Sequence, residues 1–216
     1  MRLLLTEFIK TWRDLGGGAG VPHLSSMTLE NVPSLIPTTA CIQMSPDGAL
    51  VYKKVGEGYK DVFGRDGTGL RVAEMYRNAE FGGYVEELYG LAMVQHCGLY
   101  REGEMQCEDG IFFDWETVAL PFIDTTAFGG TVLVVAGALK NKNDDVPENI
   151  WGQFNGSLKS ITVIPSPRIL TDEMLTPYCR AYQKKHGLSL KMIDVNDQLR
   201  KMSGFSLRVP SVTAEH

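Results

Sequence analysis

Glycine recurs at Gly56, Gly58, Gly64, Gly67 and Gly69, inside a stretch (YKKVGEGYKDVFGRDGTGL) whose other residues suit strands and helices. A glycine inside a helix costs about 1 kcal/mol relative to alanine, and one inside a strand weakens it as well. No long element can therefore run through this stretch. It must be a string of short pieces joined by tight turns, and the rest of the chain has to fold around it.

A phosphate cradle is the other use for clustered glycines, and the spelling argues against it. No Gly-Lys-Ser or Gly-Lys-Thr occurs. The dinucleotide pattern G-x-G-x-x-G begins at Gly56-Glu57-Gly58, but its third glycine position holds Asp61. The glycines are read instead as turn residues serving positive φ angles and close backbone approach, with Gly56, Gly64, Asp66 and Gly69 as the structural turn set.

The flanking patterns supply the longer elements. Residues 40–44 and 49–55 read as two strands joined across Pro46-Asp47-Gly48, a hairpin. Short helical pieces follow at 59–63 and 70–76. Within 80–97, Val85, Leu88, Tyr89, Ala92, Met93 and His96 form one stripe at helical spacing, with Gly98 placed as the C-terminal cap. Strands are expected at 99–106, 112–122 and 131–139. In the second of these Phe113, Trp115, Thr117 and Ala119 alternate with Asp114 and Glu116, the period of a half-buried strand.

At the start, Leu5, Phe8, Ile9 and Trp12 fall at i, i+3, i+4 and i+7, one face of an amphipathic helix closed by Gly16, Gly17 and Gly18. Glu7, Lys10, Arg13 and Asp14 interrupt that segment too early for a signal peptide. Residues 141–147 (NKNDDVP) read as a linker. One more strand is expected at 158–164, and then two capped helices, the first opening at Thr176-Pro177 and ending at Lys184, Lys185, His186 and Gly187.

Composition excludes several functions. A net charge of -5 with no run of Lys and Arg offers no footprint for nucleic acid. No stretch approaches the roughly 18 apolar residues of a membrane span. Cys41, Cys97, Cys107 and Cys179 form no C-x-x-C pair, and the four histidines form no ligand spacing, so no metal site is expected. The neighbouring carboxylates Glu86-Glu87, Glu108-Asp109 and Asp144-Asp145 diverge rather than converge, and no nucleophile elbow is present, so no catalytic residue is assigned.

The resulting order, β-β-α-α-α-β-β-β, resembles the PAS fold. The resemblance rests on residues 51–56 leading into Tyr59-Lys60-Asp61-Val62-Phe63-Gly64-Arg65-Asp66 and then Gly69-Leu70-Arg71-Val72, and it points to a subfamily of stand-alone bacterial PAS proteins. Pro33 to Pro37 and Leu120-Pro121 fit the same pattern; Lys53-Lys54 and Glu57 depart from it, where the subfamily tends to carry arginine and threonine. The likeness covers residues 1–139.

It implies an α+β fold: a five-stranded antiparallel sheet with helices on one face, an N-terminal amphipathic helix and a helical C-terminal extension. The division is 1–36 lead-in, 37–139 PAS-like domain and 140–216 linker and extension. The implied function is that of a non-catalytic, cytoplasmic sensory protein that binds a small ligand or a protein partner and signals in trans, with no nucleic-acid or membrane partner. Tyr52, Tyr59, Phe63, Met93, His96, Trp115 and Thr117 are the expected ligand-lining residues. No cofactor is assigned, although PAS domains that hold haem can do so through a histidine on the long helix, here His96. A haem-bound redox or gas sensor and a small enzyme with an unrecognised site are the alternatives. PAS domains commonly pair through a helix like residues 3–15, so a homodimer is expected there, the other placement being the helix's own sheet.

Overall fold

A computed structural model describes residues 3–16, 20–28, 38–76, 78–106, 112–141, 155–164 and 190–191. The fold is α+β. Helix α1 (Leu3–Gly16) precedes the hairpin β1 (Thr39–Met44) and β2 (Leu50–Val55). Helix α2 (Glu57–Phe63), a 3-10 turn (Val72–Met75) and helix α3 (Ala79–Gln95) follow. Strands β3 (Gly98–Gln106), β4 (Phe112–Ile123), β5 (Thr131–Asn141), β6 (Asn155–Ile164) and β7 (Leu190–Lys191) complete the sequence of elements.

The sheet runs β2-β1-β5-β4-β3-β6-β7. Its first five strands are antiparallel, with α2 and α3 over one face, a PAS-like topology. Strand β6 adds antiparallel to β3, and the two-residue β7 adds parallel to β6. The expected strand at 158–164 is thus three residues longer at its start, and it covers what would be the open edge of β3. The expected helices after Thr176 lie outside the described residues.

The glycine-rich stretch folds back on the hairpin. The Gly69 amide donates to the Tyr52 carbonyl at 2.8 Å and the Tyr52 amide to the Leu70 carbonyl at 3.0 Å, so the turn chain pairs with the outer edge of β2. Gly64 ends α2 at φ 66° and Gly69 turns at φ 85°, both in the left-handed region expected of them. The Asp66 carboxylate accepts the Thr68 amide at 2.9 Å, fixing the turn between them. Gly56 differs from expectation: it caps the start of α2 at φ -71°, an extended conformation open to any residue.

Gly98 also differs. His96 takes the left-handed C-cap of α3 at φ 51°, and Gly98 already belongs to β3. A Cβ on Gly98 would lie 2.6 Å from Leu120 and 3.0 Å from Ile164, so glycine is needed there for strand packing rather than for a cap.

Two cores result, one on each face of the sheet. Under α2 and α3 lie Tyr52, Tyr59, Phe63, Val85, Leu88, Tyr89, Met93, Leu99, Trp115 and Ala119 with their neighbours. On the opposite face Leu5, Phe8, Ile9 and Trp12 of α1 pack with Tyr100, Val118, Leu120, Phe122, Val132 and Val134. The amphipathic helix therefore spends its apolar face on its own sheet, the second of the two expected placements. Trp12 is fixed by its indole N–H, which donates to the Pro121 carbonyl at 2.7 Å. Pro121 lies past the last β3–β4 pair, Leu99 with Ala119, so its missing N–H breaks no ladder on that side.

Glu86 ties α3 to the hairpin side. Its carboxylate accepts from the Arg71 guanidinium at 2.9 Å, from the Ala73 amide at 3.0 Å and from the Leu50 amide at 3.3 Å. One half-buried side chain thus fastens helix, 3-10 turn and strand.

Candidate functional site

The interior between α2, α3 and the sheet is lined by aromatic residues from α2, α3, β2, β4 and the segment just after the 3-10 turn. Tyr59 and Phe63 are i, i+4 on α2 and share a face; their rings stack with centroids 4.7 Å apart. Trp115 of β4 meets both edge-on, at 6.2 Å from each. Tyr52 of β2 lies 6.2 Å from Tyr59, and Tyr76, just after the 3-10 turn, lies 6.1 Å from Phe63. Trp115 can occupy its place because its diagonal neighbour on β5, Gly137, has no side chain: a Cβ there would sit 2.3 Å from the indole.

Into this interior β3 sends Arg101, with 3 % of its surface exposed. Successive β3 residues alternate faces, so Leu99 joins the helix-side core while Tyr100 joins the core under α1. Arg101 pairs in register with Thr117 of β4, and its Nη2 donates to the Tyr89 hydroxyl at 2.9 Å and to Thr117 Oγ1 at 3.5 Å. No carboxylate pairs with it among the described residues. On its own strand, Glu102 accepts from the Tyr100 hydroxyl at 2.9 Å, on the opposite face.

The balance of polar groups is uneven. Arg101 Nε and the hydroxyls of Tyr52, Tyr59 and Tyr76 are buried with no hydrogen-bond partner among the described residues. Leaving such a group unpaired costs about 1–3 kcal/mol, and more for a charged one. Burial raises the Tyr52 and Tyr59 phenols well above 10, and Tyr89 likewise, so all are neutral hydroxyls able to donate at pH 7. Burial works against the Arg101 charge, but a guanidinium gives up its proton only far above pH 7, and Arg101 stays protonated. The Tyr76 hydroxyl also lies beside the guanidinium. The site is a buried monocation ringed by neutral donors.

Of the residues singled out in the sequence, Tyr52, Tyr59, Phe63, Met93 and Trp115 belong to this one cluster, and Thr117 contacts Arg101. His96 does not join them. Its backbone closes α3, and its Nε2 stands 3.2 Å from Thr131 Oγ1 at the start of β5. Sequence reasoning missed Arg101, Tyr76 and Tyr89. A signal was present for Arg101: strict alternation along β3 puts it on the same face as Leu99, a charge where the pattern demands an apolar residue.

A separate groove of about 490 Å³ opens among Met27, Ala40, Cys41, Lys53, Lys54 and Val134. It contains none of the aromatic residues of the helix-side interior and not Arg101, and is flanked in sequence by residues 29–37, which lie outside the described residues. Lys53 there is paired with Asp124 at 3.2 Å, and burial pushes the Cys41 thiol up to about 11, against the pull of Lys53. Neither residue is poised for chemistry. Among the described residues no group of three or more His, Cys, Asp or Glu could hold a metal ion, and no helix is long and apolar enough to cross a membrane. No protein-family model matches the chain, no curated protein matches it, and no solved structure matches it.

Proposed function

We propose that the chain is a PAS-type sensory protein of the cytoplasm, without catalytic chemistry of its own, which holds a small ligand between α2, α3 and the sheet and signals in trans. The observation that carries this reading is the set of four buried polar atoms, from Tyr52, Tyr59, Tyr76 and Arg101, that converge without partners in an otherwise apolar interior. A core built for stability alone has little use for them, since each adds a desolvation cost with no bond in return. A bound molecule with acceptor atoms would satisfy them together.

The strand order and the helices over one face support the PAS assignment. Signalling follows from the ligand's preference for one arrangement of the helices over another. The natural relay is Glu86, which links α3 to Arg71 and Ala73 beside Tyr76. Pairing of two copies would use the outer side of α1, where Leu4, Glu7, Lys10 and Asp14 face solvent.

Native mass spectrometry of gently purified protein, compared with the denatured mass, is the direct test. The expected result is an extra non-covalent mass of a small molecule, or its reappearance on adding metabolite fractions. A chain that stays bare and responds to no fraction overturns the ligand-sensor reading in favour of an interaction scaffold.

A further inference from the structure

Resting on that reading, the geometry points to the class of ligand: we infer that the interior takes a small monocarboxylate with a flat apolar body, anchored by Arg101. Arg101 is the one charged residue among the buried residues described, and its guanidinium is a planar fork suited to the two oxygens of a carboxylate. Its Nε has no partner, and its Nη2 is engaged with neutral hydroxyls alone, so a positive charge is buried without a counter-charge among the described residues.

Charge matching sets the valence. A single buried cation balances a single negative charge; a dicarboxylate or a dianionic phosphate would bring a second charge into the interior with nothing to meet it. The unpartnered hydroxyls of Tyr59 and Tyr76 supply further donors to the same oxygens, since burial keeps Tyr59 neutral and protonated. The walls set the body: the stacked Tyr59–Phe63 pair and the edge-on Trp115 present ring surfaces that favour a planar apolar group.

The test uses benzoate and its neutral analogue benzamide on the full chain, in buffer free of other carboxylates, read by thermal shift and titration calorimetry. The expected result is a Tm rise with benzoate and none with benzamide. Arg101→Met should abolish the benzoate response, and Tyr59→Phe and Tyr76→Phe, which keep the ring packing, should each weaken binding by about tenfold. Equal responses to the two probes, or a benzoate response retained in Arg101→Met, overturns the inference. If Arg101→Met does not fold, the two phenylalanine variants decide: unchanged benzoate affinity in both overturns it. The two readings fail separately. A neutral molecule carried by the native protein and kept by the variants leaves the sensor reading standing and removes the carboxylate. A bare chain that ignores both probes removes both.

Discussion

The two faces of the sheet are built on opposite terms. Under α1, Leu5, Phe8, Ile9, Val118, Leu120 and Phe122 pack as a plain apolar core, and the buried indole N–H of Trp12 has its acceptor in Pro121. Under α2 and α3 the core is aromatic and holds a guanidinium nitrogen and three phenol hydroxyls without partners. The fifth such atom, Arg13 Nε, belongs to a half-exposed arginine of α1 that has another interaction. The α1 face has the composition of a clamp that holds the sheet. The other face keeps polar groups unpaired inside an apolar core, at a cost in stability.

Removing the clamp should have the largest effect. Trp12→Ala deletes a fully buried indole, and urea unfolding should show a loss of about 3–5 kcal/mol. A change that hits the other face by overfilling it comes next. Gly137→Ala drives a methyl into Trp115 and should cost about 1–3 kcal/mol while disturbing tryptophan fluorescence.

The comparison is sharpest where the same kind of change is made on both faces. Trp12→Phe removes a satisfied donor and strands the Pro121 carbonyl, and should destabilise by about 1–3 kcal/mol. Tyr59→Phe removes a hydroxyl that has no partner, and should leave stability unchanged or raise it by up to about 1 kcal/mol. Equal losses in both would erase the distinction between the faces.

Much of the fold could be read from the residues. The glycine cluster had to be short pieces, the stripe from Val85 to Met93 had to be a buried helix, and the runs after it had to be strands. The alternation in β4 was readable in its first half, where Trp115 and Thr117 face inward and Asp114 and Glu116 do not. It fails from Val118 onward because α1 covers the back of the sheet and buries Val118, Leu120 and Phe122 as well. That is a tertiary effect with no local period. The aromatic wall was legible for a similar reason as the fold, since large apolar residues mark the inside. Arg101 was missed because a charge in a strand ordinarily means a solvated position; its alternation with Leu99 pointed the other way, and its register opposite Thr117 shows that it faces inward. The C-cap of α3 was misjudged because a glycine near a helix end suggests one, while the close approach of Leu120 and Ile164 to Gly98 is invisible in sequence.

The smallest effect lies outside both cores, in two exposed turns. Hydrogen bonds from Thr68 and Lys60 hold the Asp66 carboxyl down to about 2, and those from Thr126 and Lys53 hold Asp124 there too, against an ordinary 3.8. A depressed folded value means stability that is present above about pH 4 and lost as the pH falls toward 2. Urea midpoints between pH 5 and 2 should fall less steeply in Asp66→Asn and Asp124→Asn than in the parent chain.

The measurement that bears most directly on the contrast is the unfolding free energy of Arg101→Met in ligand-free buffer, by urea titration with the slope held common. A cation kept for binding and not for stability can be replaced by an apolar side chain of similar length at no cost, and the account predicts stability equal to the parent or higher by about 1–4 kcal/mol. A loss of about 3 kcal/mol or more would mean that the guanidinium holds the core together, and would contradict the reading of this face as a binding site.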